Sequence, residues 1–201
     1  MLSQDDIRTR INLYLKLLAP YFAVIIFWLF LQNAWLALLG YHLQIILWSK
    51  KLPFKNPWPS KKPDILISLA MAVAGPFIYF ILPLISQIDL SAWLLNYKLS
   101  GWLWLAMIPY FGLVHPFLEQ AHWGPLREKT PAAGIFFAGY HVIVLYSLLT
   151  MFWLLASFIV LAAVSFIWQQ IAKNSKSYSA PVLSHILADF GVVIAAWLLL
   201  Q

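Results

Sequence analysis

Two carboxylic acids and two imidazoles, Glu119, His141, His185 and Asp189, stand where the surrounding chain is almost wholly apolar. This combination suits hydrolysis. A carboxylate can take a proton from water, and imidazoles can orient that water or stabilise charge developing on an attacked carbonyl. His185 and Asp189 are spaced i, i+4, so a helix puts them on one face; His115, Glu119 and His122 form a second set at i, i+4 and i+7. A carboxylate at membrane depth costs roughly 2.5–3.5 kcal/mol on insertion scales, so each needs a partner or a wet cavity.

The elements that must carry these groups are membrane spans. Of 201 residues, 63% are hydrophobic and 10% are charged, too little polar surface to coat a water-soluble globule. An all-α, polytopic transmembrane bundle of about seven spans is expected, forming a single integral domain over residues 1–201. Residues 11–49 are too long for one crossing and divide at Gln32 and Asn33, the first apolar stretch being a retained span. The segment SKKLPFKNPWPSKKPD follows as the longest polar loop, its prolines barring a continuous helix. A third span covers about Ile65 to Ile88, the stretch IDLSAWLLNYKLSG returns at the interface, and a fourth covers about Trp102 to Gln120. EQAHWGPLREKT then reads as a loop. Residues 131–171 divide near Thr150 into a fifth and a sixth span, and a seventh starts at Pro181. Thr130 before Pro131 and Ser179 before Pro181 mark helix starts.

With the N-terminus inside, this topology gathers Arg8, Arg10, Lys50, Lys51, Lys55, Lys61, Lys62, Arg127, Lys129, Lys173 and Lys176 on the inner side and leaves only Lys98 outside. Such asymmetry makes the N-terminus and the basic loops cytoplasmic. The net charge of +6 is thus a topology signal, and nucleic acid is excluded as a partner. The absence of cysteine excludes disulfides, thiol catalysis and cysteine-held metals. Counting about 1.5 Å per residue from the inner ends puts His141, His185 and Asp189 in the cytoplasmic half, with Glu119 nearer the surface. Gly134, Gly139 and Gly191 lie beside these groups and would let helices approach closely.

At these residues the chain resembles the CPBP family of intramembrane proteases, which includes the CAAX prenyl proteases and bacteriocin self-immunity proteins. The family's first motif, a Glu-Glu pair followed by an aromatic and Arg-Gly, is met by Glu119, Gln120, Ala121, His122, Trp123 and Gly124. Phe137 to His141 matches Phe-x-x-x-His, and His185 to Asp189 matches His-x-x-x-Asn/Asp. The resemblance covers roughly residues 100–200. It implies that Glu119 is a general base activating water with help from His141, and that His185 with Asp189 stabilises the oxyanion. An ionised aspartate donates no hydrogen bond, so Asp189 would act by holding and charging His185. No cofactor or metal is implied. The partners would be membrane lipids and a membrane-associated or transmembrane protein, as substrate. Gln120 stands where the family has its second glutamate and Gly124 where it has arginine, with Arg127 three residues on.

Those departures keep a second reading open, a catalytically inactive family member acting as a membrane scaffold or assembly factor. A third is a metal or haem protein, since Glu119, His141, His185 and Asp189 are all ligand types. Glu119 also reads as an interfacial acid paired with Arg127 or Lys129, and His141 with His185 as interhelical hydrogen bonding. His42, alone on an apolar segment, reads as a core residue, and His115, preceding Pro116, reads equally as a hydrogen-bonding core residue or a participant and is left outside the catalytic set.

Overall fold

The structure, a computed structural model, describes residues 4–48, 59 and 61–201. Most of the basic loop, with Lys50, Lys51, Lys55, Pro53 and Pro57, lies outside the described residues. Within them every regular element is helical, and Ser86 and Leu149 form an isolated antiparallel bridge.

Helix α1 (Gln4–Val24) passes through Pro20 into a π-helical segment, Ile25–Phe30. The chain breaks at Gln32, whose φ of 46° is left-handed, and Asn33 restarts it by accepting the Leu36 amide on Oδ1 at 3.1 Å, opening α2 (Ala34–Trp48). The expected division at these two residues is therefore a turn with its own cap. Three segments then run end to end: α3 (Lys62–Ala70), a 3₁₀ turn (Met71–Val73) and α4 (Ala74–Ile85). The interfacial stretch is a short helix, α5 (Leu90–Asn96), capped by Asp89.

The next helix departs from expectation. α6 (Gly101–Pro109), a π segment (Tyr110–Val114) and α7 (His115–Lys129) are continuous, so the stretch expected to be a loop after Gln120 is helix. Its residues explain why: Trp123 is fully buried, and His122 and Arg127 are nearly so, so this end of α7 meets other helices rather than water. Pro125 is accommodated as prolines are in bundles, where neighbours satisfy the freed carbonyl. The π segment just before Pro116 absorbs the amide that proline lacks. Arg127, assigned to a loop from sequence, is thereby a core residue.

Helices α8 (Ala132–Leu145), α9 (Met151–Ser175) and α10 (Ser179–Leu198) complete the bundle, with Thr150 immediately before α9. Thr130 Oγ1 accepts the Ala132 amide at 3.3 Å, as expected of a helix start. α10 begins at Ser179, two residues before Pro181, and the Ser179 amide donates to Ser177 Oγ at 3.1 Å.

Five helical segments are long and apolar enough to cross a membrane: Asp6–Phe30, Lys62–Ile85, Gly101–Lys129, Met151–Ser175 and Ser179–Leu198. Two further apolar helices, α2 and α8, are shorter. Large apolar side chains such as Phe30, Phe80, Leu84, Trp102 and Phe152 face outward, while His42, His115, Glu119, Gln120 and His185 are buried, the inverse of a water-soluble core. Lys16, in α1, lies over the Trp48 ring at 5.6 Å.

α10 is the packing centre, meeting α3, α4, α7, α9 and the π segment before α7. Its approach is set by glycine pairs. A Cβ on Gly191 would lie 3.0 Å from the Gly75 amide nitrogen, and one on Gly112 would lie 3.0 Å from Phe190 Cα. Gly139 likewise makes room for the Tyr21 hydroxyl, which donates to the Phe136 carbonyl. Gly134 differs from the expectation of close approach, since a Cβ there meets nothing nearer than Ser165 Oγ at 3.4 Å. Gly191→Val should therefore cost about 1–3 kcal/mol by forcing α10 from α4, whereas Gly134→Ala should leave thermal unfolding in detergent nearly unchanged.

Candidate functional site

The Glu119 side chain is fully buried in the middle of the bundle. α7 supplies it together with His115 one turn before and Gln120 beside it; α10 brings His185 and Asp189, α8 brings Tyr140 and His141, and α2 brings Tyr41 and His42. The two carboxylate oxygens are treated differently. Oε1 accepts hydrogen bonds from both the Tyr41 and Tyr140 hydroxyls. Tyr41 is itself held by the Trp123 indole, whose N–H donates to its hydroxyl at 2.7 Å. Oε2 faces His115 Nε2 at 3.4 Å and His185 Nε2 at 3.5 Å, and has no hydrogen-bond partner of good geometry.

His185 has a definite tautomer. Arg127 Nη1 donates to Gln120 Oε1 at 2.9 Å, which turns the Gln120 amide nitrogen toward His185 Nδ1 at 3.3 Å. An amide nitrogen only donates, so Nδ1 is the acceptor and the ring proton lies on Nε2. That N–H points between Glu119 Oε2 and Asp189 Oδ2, the latter 3.3 Å away and also without a well-formed hydrogen bond. The ring is held against Trp168, centroids 4.4 Å apart. Gln120 is thus a positioning residue that transmits the arrangement of Arg127 to His185.

His141 reaches the carboxylate at one remove. Its Nδ1 donates to the Phe137 carbonyl at 2.8 Å, and its Nε2 lies 3.1 Å from the Tyr140 hydroxyl, the same hydroxyl that donates to Glu119. The Phe-x-x-x-His spacing is consequently an i, i+4 ring-to-backbone bond that sets the imidazole. Because Tyr140 has one proton and gives it to Glu119, His141 can join the chain as donor only when it is imidazolium.

Of the four residues assigned from sequence, Glu119, His185 and Asp189 come into direct apposition, and His141 is coupled through Tyr140. His42 corrects the sequence reading, since its Nε2 lies 2.9 Å from His115 Nδ1 and its other nitrogen lies 2.9 Å from the Tyr110 hydroxyl, so it is not solitary. His115 is a buried, hydrogen-bonded residue beside Glu119. They continue the cluster toward the π segment. His122 leaves it, donating from Nε2 to the Lys16 carbonyl at 3.1 Å on the α1 side. The interfacial pairing of Glu119 with Arg127 or Lys129 is also absent among the described residues, since Arg127 contacts Gln120 instead.

Tyr41 and Tyr140 were missed by sequence reading because tyrosine is common in apolar helices. Their adjacency to His42 and His141 was the available signal. Gly124 has a structural cause as well: a Cβ there would come within 2.6 Å of the Tyr178 ring, so a larger residue has no room where the resembled family carries arginine. Tyr178 donates to Glu128, and burial together with that carboxylate raises its phenol pKa. Among the described residues no group of three His, Asp or Glu side chains has the geometry to hold a metal ion.

Comparison of the chain with protein-family models, with curated proteins and with solved structures finds no match. The site is therefore defined by its own geometry. Both Tyr41→Phe and Tyr140→Phe remove a donor to a buried carboxylate, and Tyr41→Phe also strands the Trp123 indole. Each should cost about 1.5–3 kcal/mol, with Tyr41→Phe the larger, measured by thermal unfolding of the detergent-solubilised variants.

Proposed function

We propose that this protein is an intramembrane endopeptidase of the CPBP type, with Glu119 as the general base. The observation that carries this reading is the asymmetry of one carboxylate. Two tyrosines anchor Oε1, while Oε2 remains without a hydrogen bond beside the protonated Nε2 of His185. Contacts of 3.4–3.5 Å are long for direct hydrogen bonds and too short for a water to sit between the same atoms, so Oε2 keeps a free lone pair for a water that approaches it from another side.

In the proposed reaction Glu119 Oε2 takes a proton from that water as its oxygen attacks a peptide carbonyl. His185 Nε2–H donates to the resulting oxyanion, and Asp189 Oδ2, 3.3 Å from the same nitrogen, holds the ring in place. Collapse of the intermediate breaks the C–N bond, and the proton held by Glu119 passes to the leaving amine. His141 acts through Tyr140, whose hydroxyl bond to Glu119 tunes the basicity of the carboxylate. The substrate is a membrane-associated or transmembrane protein.

The proposed topology has seven spans, with α2 and α8 added to the five long segments, and with the N-terminus and the basic loops cytoplasmic. Its support is the charge asymmetry around Lys98. A second reading, a non-hydrolytic scaffold or assembly factor for another membrane protein, is favoured by Gln120 at the second-glutamate position and by the complete burial of Glu119.

Two measurements test these assignments. In proteoliposomes with a candidate membrane peptide, Glu119→Gln should reduce cleavage about 10²- to 10⁴-fold, the range lost with a general base. Unchanged cleavage would remove Glu119 from the role, and retained capture of a stable partner without any cleavage in the wild type would favour the scaffold. Because the chain contains no cysteine, single substitutions Gln4→Cys, Lys98→Cys and Lys129→Cys can be labelled with an impermeant maleimide from either face. Positions 4 and 129 should react from the same side and position 98 from the other.

A further inference from the structure

A second polar feature lies beside the site and is not used by the reaction proposed above. Arg127 is 3% exposed, yet only Nη1 of its guanidinium has a hydrogen-bond partner. Nε and Nη2 have none. These two N–H groups form one edge of the planar guanidinium, the fork that takes two oxygens of a carboxylate or phosphate at once. Among the described residues no carboxylate pairs with Arg127; its faces are covered by Phe137 and Trp168, whose centroids lie 5.4 and 5.6 Å from the guanidinium carbon. Aromatic faces and the nearby Glu119 carboxylate offset part of the cost of burying this cation, but no anion meets its free edge, which leaves that edge open to one.

Next to Arg127 is a cavity of about 120 Å³. By comparison, one ordered water requires about 10–15 Å³ on this scale, so a tetrahedral oxyanion fits. Ser165, fully buried, also lines the cavity with its hydroxyl unpartnered. Neither this hydroxyl nor the free Arg127 edge has accessible surface, so an anion meets them once both side chains turn into the space. Gln169 lies alongside, its amide donating to the Arg127 carbonyl at 2.6 Å. Gly134 keeps the space open, since no side chain projects from it. The other walls are Ile135 and Phe166, which are 53% and 60% exposed on the outside of the bundle. The opening is therefore flanked by apolar side chains. The cavity lies where α7 ends and α8 begins, toward the end of the bundle bearing Lys129, Lys173 and Lys176, which the topology proposed above places at the inner face.

We infer that the cleft between α8 and α9 binds the phosphate of an anionic phospholipid, with Arg127 Nε and Nη2 on two phosphate oxygens, Ser165 Oγ on a third, and an acyl chain along Ile135 and Phe166. The lipid is chosen over a free anion by these two outward apolar walls. Because Arg127 also holds Gln120, and Gln120 holds His185, occupancy bears on the tautomer and position of His185.

The test uses the full chain in detergent micelles doped with phosphatidylglycerol or phosphatidylcholine, with native mass spectrometry reading bound lipid and thermal unfolding reading stabilisation. Wild type should retain phosphatidylglycerol about tenfold better than phosphatidylcholine, a difference of about 1.4 kcal/mol, and Arg127→Gln should abolish the preference. Ser165→Leu, which fills the cavity and leaves the Arg127–Gln120 bond in place, should do the same in a protein that still folds, and it decides the matter where Arg127→Gln does not fold. An equal preference in wild type and Ser165→Leu would overturn the site, as would no preference in the wild type. Stabilisation by inorganic phosphate alone equal to that by phosphatidylglycerol would show a free-anion site and overturn the lipid assignment.

Discussion

A carboxylate with no solvent exposure inside an apolar bundle is the constraint around which the other contacts are arranged. Left alone, Glu119 would carry a desolvation cost of several kcal/mol. It is instead met by two hydroxyls on one oxygen and approached by two imidazoles on the other, drawn from α2, α8, α10 and its own helix. No single helix can supply donors on all sides of a side chain, because neighbours at i±4 lie on one face only. Burying one acid therefore requires four helices to hold fixed relative positions. The second arc of the network, from Arg127 through Gln120 to His185, has the same logic: each polar atom placed in the apolar interior brings another to satisfy it.

Close backbone approach makes those positions attainable. Polar side chains of ordinary length bridge helices only when the axes are near, and at the α10 contacts Gly75, Gly112 and Gly191 remove the side chains that would hold them apart. Gly191 lies two residues beyond Asp189, so the same contact that packs α10 on α4 sets the height of the His185–Asp189 pair. Gly124 serves a different neighbour by admitting the Tyr178 ring. Gly134 stands apart, since it opens space rather than closing it.

Much of this was legible before any coordinates. Uninterrupted apolar tracts announced helices in lipid, the polar pair Gln32 and Asn33 announced the first break, and Thr150 announced another, because turn and cap residues interrupt apolar runs only where the backbone needs them. The extension of α7 past Gln120 was not legible. A stretch containing Glu119, His122, Gly124, Pro125 and Arg127 has the composition of a loop, and only its burial by neighbouring helices reverses that expectation. The contact of His42 was not legible for a related reason: it looks solitary on its own helix, and its bond to His115 joins positions 73 residues apart.

From the sequence alone came the solvent of the protein, its helical class, and a short set of ionisable residues with helical spacing, since hydropathy, turn chemistry and i, i+4 periodicity are properties of local segments. Tertiary structure decided which of those residues meet: that Tyr41 and Tyr140 hold Glu119, that His42 joins His115, that Gln120 sets the tautomer of His185, and that Arg127 turns inward beside a cavity. These are relations between helices, fixed by the rotation and separation at which their surfaces interlock, and no property of one segment encodes them.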